Sequence, residues 1–273
     1  MFKISCHDNK WLDKAAQSVQ HQGLAVIEDV LNYDFCRETK DRMYLVKNTI
    51  LNEVGGDKLK RAGELGQLRL MMKVDPFFVN FLEIPHLLCV IDEILSPTAI
   101  MHLQNGFIWP STSEQDTPNI FQNNLHRDFN RYMNGYLASI NTIFAIDDFN
   151  RENGATMVVP GSHQKSETPD LQYMKDHSLE IICQKGSMIV FDSTLFHSAN
   201  RNISGHDRVA INHQWTRSFF KQQIDYVRAL GSKFIQRLPE RSQQLLGWYT
   251  RVPTSLDEFY QSPEKRLYRP GQG

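Results

Sequence analysis

The chain has 273 residues, which is enough for one large domain or at most two small ones. Hydrophobic residues make up 41% and charged residues 22%, an ordinary composition for a globular protein that excludes wholesale disorder. The 30 Lys and Arg residues nearly balance the 31 Asp and Glu residues, giving a net charge of −1. Without a basic excess, binding to nucleic acid or to an anionic membrane is not expected.

The sequence predicts a cytoplasmic protein. The longest apolar stretches, residues 77–84 and 87–95, are interrupted by polar and charged side chains and are too short to span a bilayer. The first ten residues, MFKISCHDNK, lack the apolar segment of a secretory signal. The four cysteines lie far apart without a CxxC pair, a pattern typical of reduced thiols rather than of disulfides or a zinc site.

The first third of the chain is predicted to be mostly helical. Residues 10–22 and 35–51 place apolar side chains at helical spacing, and residues 23–31 (GLAVIEDVL) form a short β-type run between them. Residues 76–95 are interpreted as one or two helices broken at Pro85.

The pattern changes to short strands in the middle of the chain. Residues 100–215 consist of short apolar runs separated by turn residues, without regular helices, which favours an antiparallel sandwich or barrel. The helical pattern returns over residues 219–260. Because no Gly-, Ser- or Pro-rich linker intervenes, we expect one domain over the whole chain. It would comprise a helical part (about 1–97), a β core (about 98–219) and a C-terminal helical part (about 220–273).

The tripeptide His126-Arg127-Asp128 matches the catalytic loop of protein kinases, but its context does not. A kinase requires Asn five residues after the Asp, and position 133 is Met. The sequence also has no glycine-rich GxGxxG loop, no VAIK-type lysine and no DFG motif. The kinase interpretation therefore fails.

A second interpretation uses only the first and third residues of this tripeptide. On a strand, His126 and Asp128 point in the same direction, which supplies two of the three ligands in a 2-His-1-carboxylate iron site. The motif HxD alone is weak evidence, and a local hydrogen-bonded pair is the alternative. His197, at the end of the strand-like run 187–197, is the candidate for the third ligand.

Arg208 opens another strand, RVAINHQW, eleven residues after His197. If Arg208 faces the interior, alternation places Ala210, Asn212 and Gln214 beside it, and Val209, Ile211 and Trp215 on the outer face. A polar interior and an apolar exterior suit a barrel with a wet lumen and helices around it. An inward arginine binds a carboxylate well, and the alternative is an ion pair with a protein carboxylate.

Taken together, these motifs resemble the phytanoyl-CoA dioxygenase family of Fe(II)- and 2-oxoglutarate-dependent oxygenases. The resemblance includes GLAVIEDVL (23–31), the tripeptide 126–128, the stretch DDFNRENGATMVVPGSHQ (147–164), and His197 with Arg208. It implies a mainly β fold with flanking helices, a double-stranded β-helix or jelly-roll barrel. It also implies that His126, Asp128 and His197 bind iron and that Arg208 binds the distal carboxylate of 2-oxoglutarate.

Several further residues are assigned less specific roles. Gln104 and Asn141 are candidates for the lining of the pocket, against a role as ordinary polar strand residues. Ser198 stands beside Ala199, at which the family often has a small polar residue. His163, in the turn Pro160-Gly161-Ser162-His163, is interpreted as structural.

The resemblance implies the cofactors and the reaction. Three protein ligands leave three positions on an octahedral iron, two for 2-oxoglutarate and one for O2. Hydroxylation of a small metabolite with release of succinate and CO2 is expected, with desaturation or cyclisation as an alternative. Asp128 argues against halogenation, because the related halogenases have a small residue there.

Two functions of a different class compete with the enzyme. One is a non-catalytic barrel of the same fold that binds a metal or a metabolite. The full set of His126, Asp128, His197 and Arg208 argues against it, because loss of turnover would usually be accompanied by loss of one of these residues. The second is a protein that binds partners through its C-terminal helices.

The substrate is not readable from the sequence beyond a slight preference for a small polar or anionic compound. Specificity is expected to depend on the loop around residues 110–122 and on the N-terminal helical region. The long polar stretch 109–124 is interpreted as a lid over the barrel mouth. The oligomeric state is not predicted.

Overall fold

The computed structural model describes residues 2–112 and 124–272. Part of the predicted lid and specificity loop, residues 113–123, lies outside the described residues. The strands are β1 Lys3–Ser5, β2 Leu24–Glu28, β3 Gln67–Arg69, β4 Ile100–Trp109, β5 Ser139–Ala145, β6 Met157–Val158, β7 Leu179–Glu180, β8 Met188–Asp192, β9 His197–Ser198 and β10 Arg208–Thr216.

Along the sequence, helices lie before, between and after these strands. The α-helices are α1 Trp11–Gln22, α2 Tyr33–Val54, α3 Gly56–Arg61, α4 Met71–Val74, α5 Pro85–Val90, α6 Leu171–His177, α7 Tyr226–Leu230, α8 Ser232–Ile235, α9 Glu240–Leu245 and α10 Leu256–Phe259. Short 3-10 helices occur at Pro76–Glu83, Ser162–Gln164 and Pro263–Lys265, and a π-helical turn occurs at Ile91–Leu95.

The strands form two sheets. The larger has seven strands in the order β1-β2-β8-β5-β10-β4-β3, and the smaller has three in the order β7-β6-β9. Neighbouring strands are antiparallel except for β1 and β2. The architecture is therefore mainly β with flanking helices, as predicted.

Strand β10 shows how the sequence separates the two faces of the larger sheet. Val209, Ile211 and Trp215 lie in the main hydrophobic core, which the outer face of the sheet forms together with the helices. The alternate residues from Arg208 to Gln214 line a cavity on the inner face. These positions confirm the predicted polar interior and apolar exterior of this strand. The pattern arises because successive side chains of a strand point to opposite faces.

Gly23 ends helix α1 and permits a close contact with His163 and Leu195. Its φ of 87° lies in the left-handed region that glycine adopts without strain. A Cβ atom at this position would lie 2.6 Å from His163 Nδ1 and 2.6 Å from Leu195 Cδ1. Only glycine therefore lets the helix end pack directly against the segment that precedes His197.

Two details of the predicted β core are wrong. Helix α6 interrupts it, and the side chain of Asp170 caps this helix by accepting a hydrogen bond from Tyr173 N at 2.8 Å. The strand-like run 187–197 is two strands, β8 and β9, in different sheets. Asp192 turns the chain between them, because its side chain accepts hydrogen bonds from Thr194 N at 2.8 Å and Thr194 Oγ1 at 2.7 Å.

The remaining expectations about the fold hold or stay open. The break at Pro85 is confirmed, since one helix ends at Glu83 and the next begins at Pro85. Among the described residues, no helix is long and apolar enough to cross a membrane. The extent of a single domain over the whole chain stays a prediction.

Candidate functional site

A cavity of about 370 Å³ lies between the two sheets. It is lined from the larger sheet by β3, β4, β5, β8 and β10, and from the other side by β9 and the loops near it. Its polar and charged lining residues are Glu64, Gln67, Arg69, Asn105, His126, Asp128, Thr156, His197, Ser198, Arg208, Asn212, Gln214 and Gln223.

His126, Asp128 and His197 meet at one end of this lining. The two histidines exchange backbone hydrogen bonds, with N–O distances of 2.9 and 3.0 Å, so they lie directly opposite each other. Asp128 Oδ1 lies 3.4 Å from His126 Nε2, and Asp128 Oδ2 lies 3.6 Å from His197 Nε2. The three potential ligand atoms lie within 4.8 Å of one another, close enough to bind one metal ion.

Backbone carbonyls fix the orientation of both imidazole rings. His126 Nδ1 donates to Asn124 O at 2.8 Å, and His197 Nδ1 donates to Leu195 O at 3.0 Å. A carbonyl can only accept, so each Nδ1 carries a proton, and in the neutral form of each ring Nε2 presents its lone pair toward Asp128. Three acceptors facing one point fit a bound cation, and this arrangement of outer partners is typical of histidine metal ligands.

The electrostatics favour the metal-binding protonation states. Burial disfavours ionisation of Asp128, but the nearby imidazoles of His197 and His126 outweigh this effect and hold its pKa below the ordinary value. Burial lowers the pKa of His197, although Asp128 acts in the opposite direction. These two shifts favour the ionised carboxylate of Asp128 and the neutral imidazole of His197, the forms that ligate metals.

Arg208 lies in the same cavity as a buried cation. Its side chain stacks on Phe149, with Cζ 4.2 Å from the ring centroid, and the residue is 5% exposed. Burial lowers its pKa to about 10, so it remains charged at neutral pH. Among the described residues, Nε and Nη1 have no hydrogen-bond partner. A buried, charged guanidinium with two unpartnered nitrogens is suited to bind an anionic ligand.

Nearby carboxylates are engaged elsewhere. Asp147 accepts from Lys40 Nζ at 2.7 and 2.9 Å and from Val209 N at 2.9 Å. Asp207 accepts from Tyr44 at 2.9 Å. Within residues 2–112 and 124–272, Arg208 forms no salt bridge, so the alternative of a protein ion pair finds no support there.

Asn141 and Ser198 lie beside the three potential ligands. The Asn141 side chain is fully buried, hydrogen-bonds to Asp128 and donates from Nδ2 to Ser193 Oγ at 2.8 Å. Its Oδ1 accepts from Asn212 Nδ2 at 3.1 Å. Asn141 thus contacts the Asp128 carboxylate, and Ser198 lines the cavity next to His197.

The assignment of Gln104 to the pocket is wrong. Its side chain lies on the outer face of β4 and is 1% exposed, with Nε2 3.3 Å from Phe78 O and 2.9 Å from His213 Nε2. Its neighbours Leu103 and Asn105 line the cavity instead. The phase of the strand alternation, rather than residue polarity, decides which face a side chain occupies.

We expect Gln104→Ala to lower stability without affecting the cavity. Removing the amide leaves a buried His213 nitrogen without its partner, at a cost of roughly 1–3 kcal/mol in the free energy of unfolding. Denaturant unfolding measures this loss, and a titration with 2-oxoglutarate, the co-substrate that the family resemblance implies, checks that the cavity is unaffected. A weaker 2-oxoglutarate affinity at wild-type stability would return Gln104 to the site.

A polar wall from the N-terminal region was not identified from the sequence. Arg69 donates to the carboxylate oxygens of Glu64 at 2.9 and 2.8 Å and to Gln67 Oε1 at 2.9 Å. It also donates to Asn105 Oδ1. The available signal was the turn at Gly66 followed by the polar–apolar alternation QLRL, which is typical of a strand with one polar face.

Comparison with known proteins gives a family match and several relatives. The sequence profile of the family described as phytanoyl-CoA dioxygenase (PhyH) matches residues 19–210, a range that includes every motif of the resemblance. An uncharacterized protein of Mycobacterium tuberculosis is 57% identical over 273 residues, covering 100% of both chains. The dioxygenase trt7 of Aspergillus terreus is 22% identical over 268 residues, covering 93% of this chain and 90% of its own.

A solved structure shows the fold. The crystal structure of EctD from S. alaskensis, with 2-oxoglutarate and 5-hydroxyectoine, superimposes with a TM-score of 0.58 at 18% identity. The match covers 74% of each chain. The predicted double-stranded β-helix is thereby confirmed.

Proposed function

The chain belongs to the phytanoyl-CoA dioxygenase family of Fe(II)/2-oxoglutarate-type oxygenases, and from this membership we propose that it hydroxylates a small metabolite with Fe(II), 2-oxoglutarate and O2. One observation supports this proposal above all: a single cavity contains a group of potential metal ligands and a buried cation. The ligands are His126, Asp128 and His197, and the cation is Arg208, which forms no salt bridge with a carboxylate of the described residues.

In this proposal His126, Asp128 and His197 hold the iron. Their two imidazole nitrogens and one carboxylate form the donor set that suits non-haem Fe(II) and leaves coordination positions open. When bound, Fe(II) with 2-oxoglutarate supplies O2 activation for the oxidation of a C–H bond, with succinate and CO2 as co-products. The carbonyls of Asn124 and Leu195 hold the imidazole rings in place, and Asn141 holds the Asp128 carboxylate.

Arg208 binds the distal carboxylate of 2-oxoglutarate in this proposal. Nε and Nη1 have no partner among the described residues, so the guanidinium retains donors for a ligand carboxylate. The ring of Phe149 holds the guanidinium plane, so little side-chain freedom is lost on binding. Water is largely excluded, which strengthens the charge interaction.

The polar part of the remaining lining favours a small polar substrate over a long acyl chain. The amide side chains that line the cavity carry no net charge, and the charges of Arg69 and Glu64 compensate each other. Such amides recognise hydroxyl and carbonyl groups by hydrogen bonding, and a site of this kind discriminates against analogues that lack those groups. The amide wall consists of Gln67, Asn105, Asn212, Gln214 and Gln223.

An anaerobic titration tests the proposal directly. Fe(II) and 2-oxoglutarate together, without O2, should give a weak visible charge-transfer band that neither produces alone. Admission of O2 should then yield succinate, at a rate that increases with the substrate found in a metabolite screen. Failure to form the band would overturn the cofactor assignment, and a band without succinate formation would favour the non-catalytic binding barrel.

Product analysis under ¹⁸O2 is expected to show hydroxylation. One labelled oxygen should enter the product and the other should enter succinate. The reason is that Asp128 would occupy the coordination position that a halide would need. A product that has lost two hydrogens, or one without label, would reject hydroxylation in favour of desaturation or cyclisation.

A further inference from the structure

Arg127 lies between two of the potential metal ligands, but its side chain points away from them. Alternation along the backbone directs it out of the cavity, and the residue is 8% exposed. Its Cζ atom lies 4.4 Å from the ring centroid of Phe196, the residue that precedes His197. The neighbour of His126 and Asp128 therefore stacks on the neighbour of His197.

One turn receives hydrogen bonds from both of these segments. Arg127 Nη2 donates to the carbonyl oxygens of Ser162 and Lys165, both at 2.9 Å. Ser162 Oγ accepts from Phe196 N at 2.9 Å. We call residues 160–165 the support turn, because it contacts the back of both ligand-bearing segments.

The support turn is itself fixed to the end of helix α1. Gly161 N donates to Gln22 O at 2.9 Å, and Gln164 Nε2 donates to Gln20 O at 3.1 Å. His163 Nε2 lies 3.1 Å from the same Gln20 carbonyl. These carbonyls belong to the last turn of the helix, where no partner is available within the helix. A continuous path of hydrogen bonds thus joins α1 to the metal-binding segments.

Stability alone does not account for a buried arginine at this place. Within residues 2–112 and 124–272, no carboxylate forms a salt bridge with Arg127. Burial of a cation against carbonyl oxygens and a ring is costly, and an apolar side chain of similar size would avoid that cost. A guanidinium, by contrast, has a planar fork that reaches two carbonyls while it stacks on an aromatic ring.

We propose that Arg127, together with the support turn, positions the metal ligands. This inference rests on the proposed function. The Arg127–Phe196 stack sets the approach of the segment carrying His126 and Asp128 to the segment carrying His197. The support turn holds both against α1. Mutation of residues that hold metal ligands in place typically changes metal affinity by about 10- to 100-fold.

Cobalt(II) is a suitable probe, because its visible absorption reports coordination geometry and needs neither 2-oxoglutarate nor O2. The full-length apoprotein is titrated with Co(II) for wild type, Arg127→Met and Arg127→Lys. We expect Arg127→Met to bind Co(II) about 10- to 100-fold more weakly, with altered visible bands. Arg127→Lys should recover part of the affinity, since an ammonium can still donate to one carbonyl.

Two further variants separate positioning from general stability. Arg251→Met removes a similar contact elsewhere, because Arg251 Cζ lies 3.4 Å from the Trp248 ring centroid and Nε donates to Trp248 O at 2.6 Å. It should bind Co(II) like wild type. Ser162→Ala removes only the acceptor for Phe196 N. It should weaken Co(II) binding, as Arg127→Met does. If Arg127→Met does not fold, Ser162→Ala provides the test.

The outcomes are distinguishable. Wild-type affinity and bands in both Arg127→Met and Ser162→Ala would overturn the positioning role alone, as would an equal loss in Arg251→Met. If Arg127→Met does not fold, an unchanged Ser162→Ala has the same meaning. A wild-type protein that takes up no Co(II) would overturn the metal site of the proposed function and this inference with it.

Discussion

Substitution of His197 by Ala is expected to abolish metal binding and turnover while leaving the fold intact. Only two of the three potential ligands would remain, so the loss should exceed the roughly 10- to 100-fold effect of removing an outer partner. The backbone bridge between His126 and His197 uses main-chain atoms and survives the substitution. His126→Ala and Asp128→Ala should have the same consequence.

The measurement is metal content after anaerobic loading with Fe(II), combined with succinate formation and thermal unfolding. His206→Ala is the matched control, because His206 is an exposed imidazole nine residues farther along the chain. It should load metal and turn over like wild type. Full activity in His197→Ala would show that the three residues are not the metal site.

The inner face of the barrel was predictable where alternation and chemistry agree. Strand β10 is long, and its polar and apolar residues alternate over most of its length, so the sequence alone places Arg208 inside and Trp215 outside. His126 and Asp128 share a direction for the same reason. Their approach to His197, in contrast, needs a chain that passes between two sheets at Asp192, and the resemblance to a family supplied that link.

Prediction failed where a contact depends on tertiary partners. Strand β4 has polar side chains on both faces, and Gln104 is buried on the outer face because His213 provides a partner there. A β-bulge opposite Gln214 and Trp215 further disturbs the phase of this strand. The alternation around the three-residue strand β3 is too short to show which structure its polar face meets, so Arg69 and Glu64 could not be assigned to the cavity.

The turn with the sequence Pro-Gly-Ser-His illustrates a different limit. The sequence identifies it as a tight turn, and the structural interpretation of His163 agrees with its contact to Gln20 O. Local turn chemistry cannot show what lies behind the turn, however. The contact with Arg127 joins residues 35 positions apart in the chain, and it emerges only when the small sheet is formed.

Arg208→Ala is expected to weaken 2-oxoglutarate binding without weakening metal binding. Truncating one partner of a desolvated charge pair costs roughly 2–5 kcal/mol, which corresponds to an increase of tens to thousands of fold in the 2-oxoglutarate requirement. The guanidinium makes no contact with His126, Asp128 or His197 through a hydrogen bond or salt bridge within the described residues. Metal affinity measured without 2-oxoglutarate should therefore equal that of wild type.

Arg208→Lys separates charge from geometry in the same measurement. Lysine retains the positive charge but cannot donate two parallel hydrogen bonds or stack its plane on Phe149, so we expect an intermediate 2-oxoglutarate requirement. Titration of succinate formation against 2-oxoglutarate gives this requirement, and Co(II) titration gives the metal affinity. An unchanged requirement in Arg208→Ala would remove 2-oxoglutarate from this residue's role, and a parallel loss of metal affinity would instead make Arg208 a support of the barrel.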